Sequence, residues 1–272
     1  MFHCETLQND NAAGISRMKD LHTLSLLECH GVSDFSFLQA LPKLRTLTVP
    51  HTFDFSWLLF LGLESLTFPY LNVEQLSYIG CQTNLKLLSA GSHLQGFDVF
   101  YPSPILYEVL LKLKALHTLE LTNCTTLQFF PPCPSLRRLV LDGCKGIRDN
   151  ELSLLGISFP NLEALSVART CVTDVGLRLF HPNMKHLRHL DISGCNISEQ
   201  GMTSLAQISG LRSLNISDCG VMPVLAPETV KLLGVKHFGL LDPASRSTLR
   251  ARGVEVVEHR TFRTKVASIL DH

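Results

Sequence analysis

The sequence predicts an α/β solenoid, with a curved parallel β-sheet on its concave side and short helices and turns on its convex side. Two observations predict it. A nine-residue pattern recurs ten times along the chain at nearly constant spacing, and within each copy aliphatic residues alternate as they do in a half-buried strand. Of the 272 residues 45% are apolar and 18% charged, so a continuous core can form and intrinsic disorder is excluded as the main state.

The pattern is clearest where Leu187-Arg-His-Leu190-Asp-Ile192-Ser-Gly-Cys195 returns as Leu211-Arg-Ser-Leu214-Asn-Ile216-Ser-Asp-Cys219. Read as Leu-x-x-Leu-x-Leu-x-x-Cys, it starts at Leu21, Leu44, Leu63, Leu85, Leu116, Leu136, Leu162, Leu187, Leu211 and Val235. Eight of the nine intervals lie close to the 20–29 residues of a leucine-rich repeat. Positions 1, 4 and 6 should point inward and stack on their equivalents in the next coil. Position 9 opens the turn away from the sheet, and Cys29, Cys124, Cys144, Cys195 and Cys219 stand there, with Thr52 and Thr170 as substitutes. A small side chain with a donor can satisfy a carbonyl inside such a turn, and a thiol tolerates burial. Packing therefore explains five of the nine cysteines without redox or metal chemistry.

Residues 1–20 read as an N-terminal cap, 21–242 as the repeats, and 243–272 as a C-terminal cap and basic tail. In the first half the convex pieces are short and aromatic (Phe53, Phe55, Trp57, Phe60) and should pack as turns. The one long interval holds an insertion over 94–115, in which Tyr101-Pro-Ser-Pro104 breaks the chain and a helix should run from Ile105 to Lys114. Its Leu106, Leu110 and Leu113 would face the core, leaving Tyr107 and Leu111 as secondary contact candidates. In the second half, Asp149 or Asn150, Thr173 or Asp174, and Ser198 can cap convex helices, with a shorter helix over Glu228–Leu233. Gly253 to Val257 should add a last strand.

Function classes narrow quickly. Lys plus Arg equals Asp plus Glu at 24 each, so the whole chain is not a polyanion binder. The sequence contains no phosphate loop, nucleophile elbow or H-E-x-x-H. Cys124, Cys133 and Cys144 do not have paired zinc-ligand spacing, and His181, His186 and His189 should not converge, so no metal or cofactor is expected. His189 reads as solvated or locally hydrogen-bonded. A non-enzymatic role follows. No apolar run reaches the roughly 18 residues of a bilayer crossing, and the N-terminus resembles neither a secretory signal nor a transit peptide, so the expectation is a cytoplasmic or nuclear protein without membrane contact.

The concave face remains. Its candidate partner-binding residues are Glu120, Asp191 and Asn215 at position 5, Arg138 and His189 at position 3, Asp142 at position 7, and Arg188, Arg212 and Lys236 at the strand entrance; Val140, Ser166 and Gly239 at position 5 and His237 at position 3 share the face. Basic residues mark the strand entrance at position 2: Arg137, Arg188, Arg212 and Lys236. Residues 1–135 hold 7 basic and 11 acidic side chains, net −4, whereas 136–272 hold 17 and 13, net +4. Arg246, Arg250, Arg252, Arg260, Arg263 and Lys265 concentrate this excess near the end, and Arg250, Arg252, Arg260 and Arg263 join the secondary contact candidates. A protein partner is expected. Nucleic acid is expected only within a larger complex, because aromatic groups are not interleaved with the basic ones.

From Leu136-Arg-Arg-Leu-Val-Leu-Asp-Gly-Cys144 through Thr173-Asp174-x-Gly176-Leu177 to Cys219, the chain resembles the cysteine-containing leucine-rich repeats of F-box substrate receptors. The resemblance is specific over about residues 136–221 and looser before them. It implies a solenoid used for protein recognition, often as a ubiquitin-ligase adaptor. Twenty residues precede the first repeat, shorter than a three-helix F-box, so the likeness is to the repeat domain without the F-box. The alternative is a constitutive subunit of a large cytoskeletal or ribonucleoprotein assembly.

Overall fold

The computed structural model describes residues 7–27, 29, 31–49, 55–69, 73–91, 103–124, 127, 129–236 and 241–270. Thr52, Phe53, Tyr101, His237 and Gly239 lie outside the described residues. The chain divides into two compact units, Met1–Ser135 and Leu136–His272.

In the first unit five parallel strands follow chain order: β1 (Thr23–Ser25), β2 (Thr46–Thr48), β3 (Ser65–Phe68), β4 (Leu87–Gly91) and β5 (Thr118–Thr122). Their register puts Leu24, Leu47, Leu66, Leu88 and Leu119 side by side. In the second unit β6 (Arg138–Val140), β7 (Ala164–Ser166), β8 (His189–Asp191), β9 (Ser213–Asn215), β10 (Leu232–Val235) and β11 (Glu255–Glu258) do the same, aligning Leu139, Leu165, Leu190, Leu214 and Leu233. The position-1 leucines from Leu44 to Leu211 are buried in both units, so one coil supplies the core of the next.

The pattern fails once. Val230, Leu233 and Val235 occupy positions 1, 4 and 6 of the tenth repeat, which therefore starts five residues before the expected Val235. The segment expected as a helix over Glu228–Leu233 instead leads into β10, after a 3₁₀ turn at Pro223–Leu225. Lys236 consequently leaves the strand entrance, and Lys231 takes that place.

The other side carries 3₁₀ turns at Ser36–Ala40 and Ser56–Phe60, then helices α2 (Val73–Ile79) and α3 (Ser103–Lys112) in the first unit. An earlier short helix, α1 (Asn9–Ala12), is pinned to the first loop where the Asn9 carboxamide oxygen accepts from the Ser33 and Asp34 amides. The turns are filled by aromatic packing: Phe55 lies 5.4 Å from Trp57 and 5.5 Å, edge-on, from Phe68. Helix α2 was not anticipated, and α3 begins two residues earlier than expected while burying Leu106, Leu110 and Leu113. The second unit has α4 (Asp149–Ser158), α5 (Asp174–Phe180), α6 (Glu199–Leu205), α7 (Pro243–Ala251) and α8 (His259–Leu270).

Helices α4 to α6 are joined by a repeating bracket. Asp149 does not cap its own helix. Its carboxylate accepts from the Thr173 amide at 2.8 Å and hydroxyl at 2.7 Å in the next repeat. Asp174 repeats this with Ser198, whose hydroxyl in turn caps α6. Gly201 lies under the bracket, where an added Cβ would come within 2.3 Å of an Asp174 carboxylate oxygen. Position 8 of the turn takes the left-handed conformation at Asn123, Gly143, Arg169, Gly194 and Asp218, which favours the Gly, Asn or Asp found at four of these five. At position 9 the thiols of Cys195 and Cys219 donate to the Val167 and Ile192 carbonyls at 3.1 and 3.0 Å. Burial pushes the Cys219 thiol up to about 12, which keeps it an unreactive packing group.

Gly201→Ala is expected to lower unfolding stability by about 1–3 kcal/mol through this overpacking. Gly62→Ala, where a Cβ meets open space, should be close to neutral when both variants are compared by urea titration.

Candidate functional site

The face of the sheet turned away from the helices carries positions 3, 5 and 7, and it differs between the units. In the first unit it is an uncharged ladder of Thr23, Ser25, Thr46, Thr48, Ser65 and Thr67, partly or fully exposed. Glu120 adds the first charge on this ladder, accepting a hydrogen bond from the Ser89 hydroxyl at 2.9 Å.

In the second unit Arg138, Val140 and Ser166 on β6 and β7 are half-buried, but the polar residues that follow on this face are buried. Asp142, His189, Asp191 and Asn215 are each no more than 7% exposed. The cause is α8, which starts directly after β11 and folds back across the face. His259, Phe262, Arg263 and Val266 follow the i, i+3, i+4, i+7 spacing of one helical face. Phe262 and Val266 pack with Leu232 and Val257. Gly234 makes the space, since a Cβ there would lie 3.0 Å from the Phe262 ring and 2.7 Å from Asn215 Oδ1.

Polar contacts hold the helix down. The Arg263 guanidinium lies 2.6 Å from an Asp142 oxygen and 3.3 Å from an Asp191 oxygen. Burial opposes its charge, but the two carboxylates outweigh that and raise its pKa. Asp191 also accepts from Asn215 Nδ2 at 3.0 Å and from the Ser193 amide at 2.9 Å. The Asn215 amide further contacts His259 Nδ1 at 2.7 Å, and Asp142 accepts from Ser166 and the Ala168 amide. Two buried carboxylates thus share one cation and also accept from the Asn215 amide, the Ser166 hydroxyl and two backbone amides, which lets charge sit in a covered face.

His189 differs from the expected solvated or bonded residue. It is buried, and its Nδ1 has no hydrogen-bond partner among the described residues. Burial, with the adjacent Arg188 cation, lowers its pKa to about 4.

The remaining candidates are spread out. Arg188 and Arg212 are exposed at the strand entrances, while Arg137 there is ion-paired with Glu163 at 3.5 Å. Arg138 is half-buried on β6. Lys236 pairs with Asp218 at 2.7 Å. Arg252 donates to the Val224, Ala226 and Pro227 carbonyls and so closes the irregular loop after β9. Arg250 and Arg260 are exposed on α7 and α8, Tyr107 is exposed on α3, and Leu111 is half-buried. Sequence reasoning missed an exposed apolar group on the helix side, formed by Leu154 and Ile157 of α4 and Val175 and Leu179 of α5. Its signal was local: these helices carry apolar residues beyond the single inward stripe.

Among the described residues no group of acidic, cysteine or histidine side chains is arranged to hold a metal ion, and no helix is long and apolar enough to cross a membrane.

This architecture is that of a leucine-rich repeat protein. Residues 183–206 match the family profile described as Leucine Rich repeat. A crystal structure of an internalin from Listeria monocytogenes superposes with a TM-score of 0.53 at 18% identity, covering 83% of this chain and 70% of that one, which establishes a common fold. A relative from Trypanosoma equiperdum, described as "Putative adenylate cyclase regulatory protein", is 31% identical over 32% of this chain and 17% of its own length.

Arg263→Ala is expected to free α8, seen as faster amide exchange along it, and to cost roughly 1–3 kcal/mol. That is less than the 3–5 of a fully buried pair because the arginine is part-exposed. Stability should also fall as pH drops from about 6.5 towards 4. In that window the unfolded chain protonates His189 and the folded chain does not, so the contribution is complete above 6.5 and lost below. His189→Gln should flatten this part of the stability–pH curve.

Proposed function

We propose that the chain is a non-enzymatic protein-recognition module whose partner docks on the open face of the first unit. The observation that carries this reading is the contrast between the two faces. The second is occupied by the chain's own α8, whereas the ladder from Thr23 to Glu120 stays accessible. A row of small hydroxyls on a rigid parallel sheet offers many hydrogen-bonding groups with little side-chain entropy to lose on docking. Leucine-rich repeats generally bind proteins. The resemblance to F-box receptor repeats supports an adaptor that holds a substrate protein, and the regulatory description of the trypanosome relative fits a partner-binding role.

The exposed Leu154, Ile157, Val175 and Leu179 favour a second reading, a constitutive subunit seated in a larger assembly through its helix side. Affinity purification from the native source separates the two. The combined Thr46→Arg, Thr67→Arg and Glu120→Lys variant should lose its co-purifying protein about tenfold with an unchanged melting temperature. Loss instead on Ile157→Ser with Leu179→Ser would transfer the contact to the helix side.

A further inference from the structure

By folding across the open face, α8 builds a groove that the repeats alone do not have. Its volume is about 720 Å³, within the roughly 300–1,000 Å³ typical of ligand pockets and too small for a folded domain. One wall is the strand-entrance row Arg188, Arg212 and Lys231, from three successive repeats whose strands pair directly. Adjacent strands stand about 4.8 Å apart, so these cations span about 10 Å. No carboxylate among the described residues pairs with any of the three. The fourth cation of the lining, Lys265, is already paired with the groove's one acid, Glu255. His189 belongs to the lining too, buried with Nδ1 unpartnered among the described residues, and Leu232 and the exposed Ile269 add aliphatic surface.

We propose that this groove binds a short acidic segment of a partner protein, with two or three Asp or Glu carboxylates on Arg188, Arg212 and Lys231 and a neighbouring aliphatic side chain on Leu232 and Ile269. Charge complementarity selects the acids, since the lining carries an excess of uncompensated cations. The aliphatic end selects a peptide over a nucleic acid, because no Phe, Tyr or Trp lines the groove to stack on a base and its one imidazole, His189, is buried. A carboxylate brought near His189 would also favour its protonated form. The inference deepens the protein-recognition reading and rests on it, but it assigns a second, independent contact.

The test uses the full chain and a fluorescein-labelled dodecapeptide of Glu-Asp pairs interleaved with Leu. Binding should weaken at least about tenfold in Arg188→Gln with Arg212→Gln and for the Gln-Asn isostere of the peptide, and be unaffected by Arg260→Gln, a cation outside the groove. In NMR titrations the peptide should raise the His189 pKa in the wild type but not in the double variant. Equal binding by the double variant, or an equally charged single-stranded oligonucleotide or anionic vesicle binding more tightly at the same three residues, would overturn the assignment. The native co-purification reads the first-unit face separately. A retained partner with no peptide binding sinks the groove alone, whereas peptide binding with a partner indifferent to Thr46, Thr67 and Glu120 sinks the face alone.

Discussion

The structure depends on one register constraint: position 4 of each coil must meet position 4 of the next. A single repeat has a three- to five-residue strand and cannot enclose its own leucines. Leu165, for example, is shut off from water only because Leu139 and Leu190 flank it in the ladder. The same stacking acts on every other position. Whatever stands at position 5 becomes a row, so serine and threonine produce a neutral stripe in the first unit, whereas aspartate and asparagine produce a polar network in the second. On the helix side it sets the Asp149–Thr173 and Asp174–Ser198 brackets, which tie each helix start to the one before.

A solenoid must stop, and the way it stops here determines what the open face can do. The last strand, β11, breaks the alternation: Val257, at position 5, is buried with Phe262 rather than exposed. The chain then turns back as α8 and uses the polar row as its docking surface. Without Arg263, Asp142 and Asp191 would be two carboxylates on one wet face. With it they become a buried anchor, a geometry that carries desolvation cost and therefore needs every donor it has. Covering that face removes residues from view, but it also gives the strand entrances a second wall.

What was legible in the sequence was whatever repeats locally. The leucine and cysteine positions, the turn character of the aromatic loop and the Ser198 cap each follow from a window shorter than one coil. The tenth repeat was misplaced because Val230-Lys-Leu-Leu-Gly-Val235 and Val235 to Leu240 fit the aliphatic pattern similarly, and the preceding spacing of 24 favoured the later start. Only the pairing of Leu233 with Leu214 decides between them. The placement of α8 was not legible. Arg263 read as one of several exposed basic residues, because its partners lie on distant strands and no local period connects them. The glycine at 234 and the amphipathic spacing of His259, Phe262 and Arg263 were its traces.

Free and committed cations explain why recognition falls where it does. Arg137, Lys236, Arg252 and Arg263 each meet a carboxylate or carbonyls of this chain, so a partner acid approaching them must first displace an existing contact. Among the described residues Arg188, Arg212 and Lys231 meet no carboxylate: Arg212 reaches the carbonyls of Ser209 and Leu211, within its own loop, and Lys231 that of Arg252 at 3.2 Å. An incoming anion there gains attraction without breaking a salt bridge. A partner for the buried face would instead have to lift Phe262 off Gly234 and strip Arg263 from two aspartates. The energetic asymmetry between those two approaches follows from α8 alone, and it makes the strand-entrance edge the accessible electrostatic feature of the second unit.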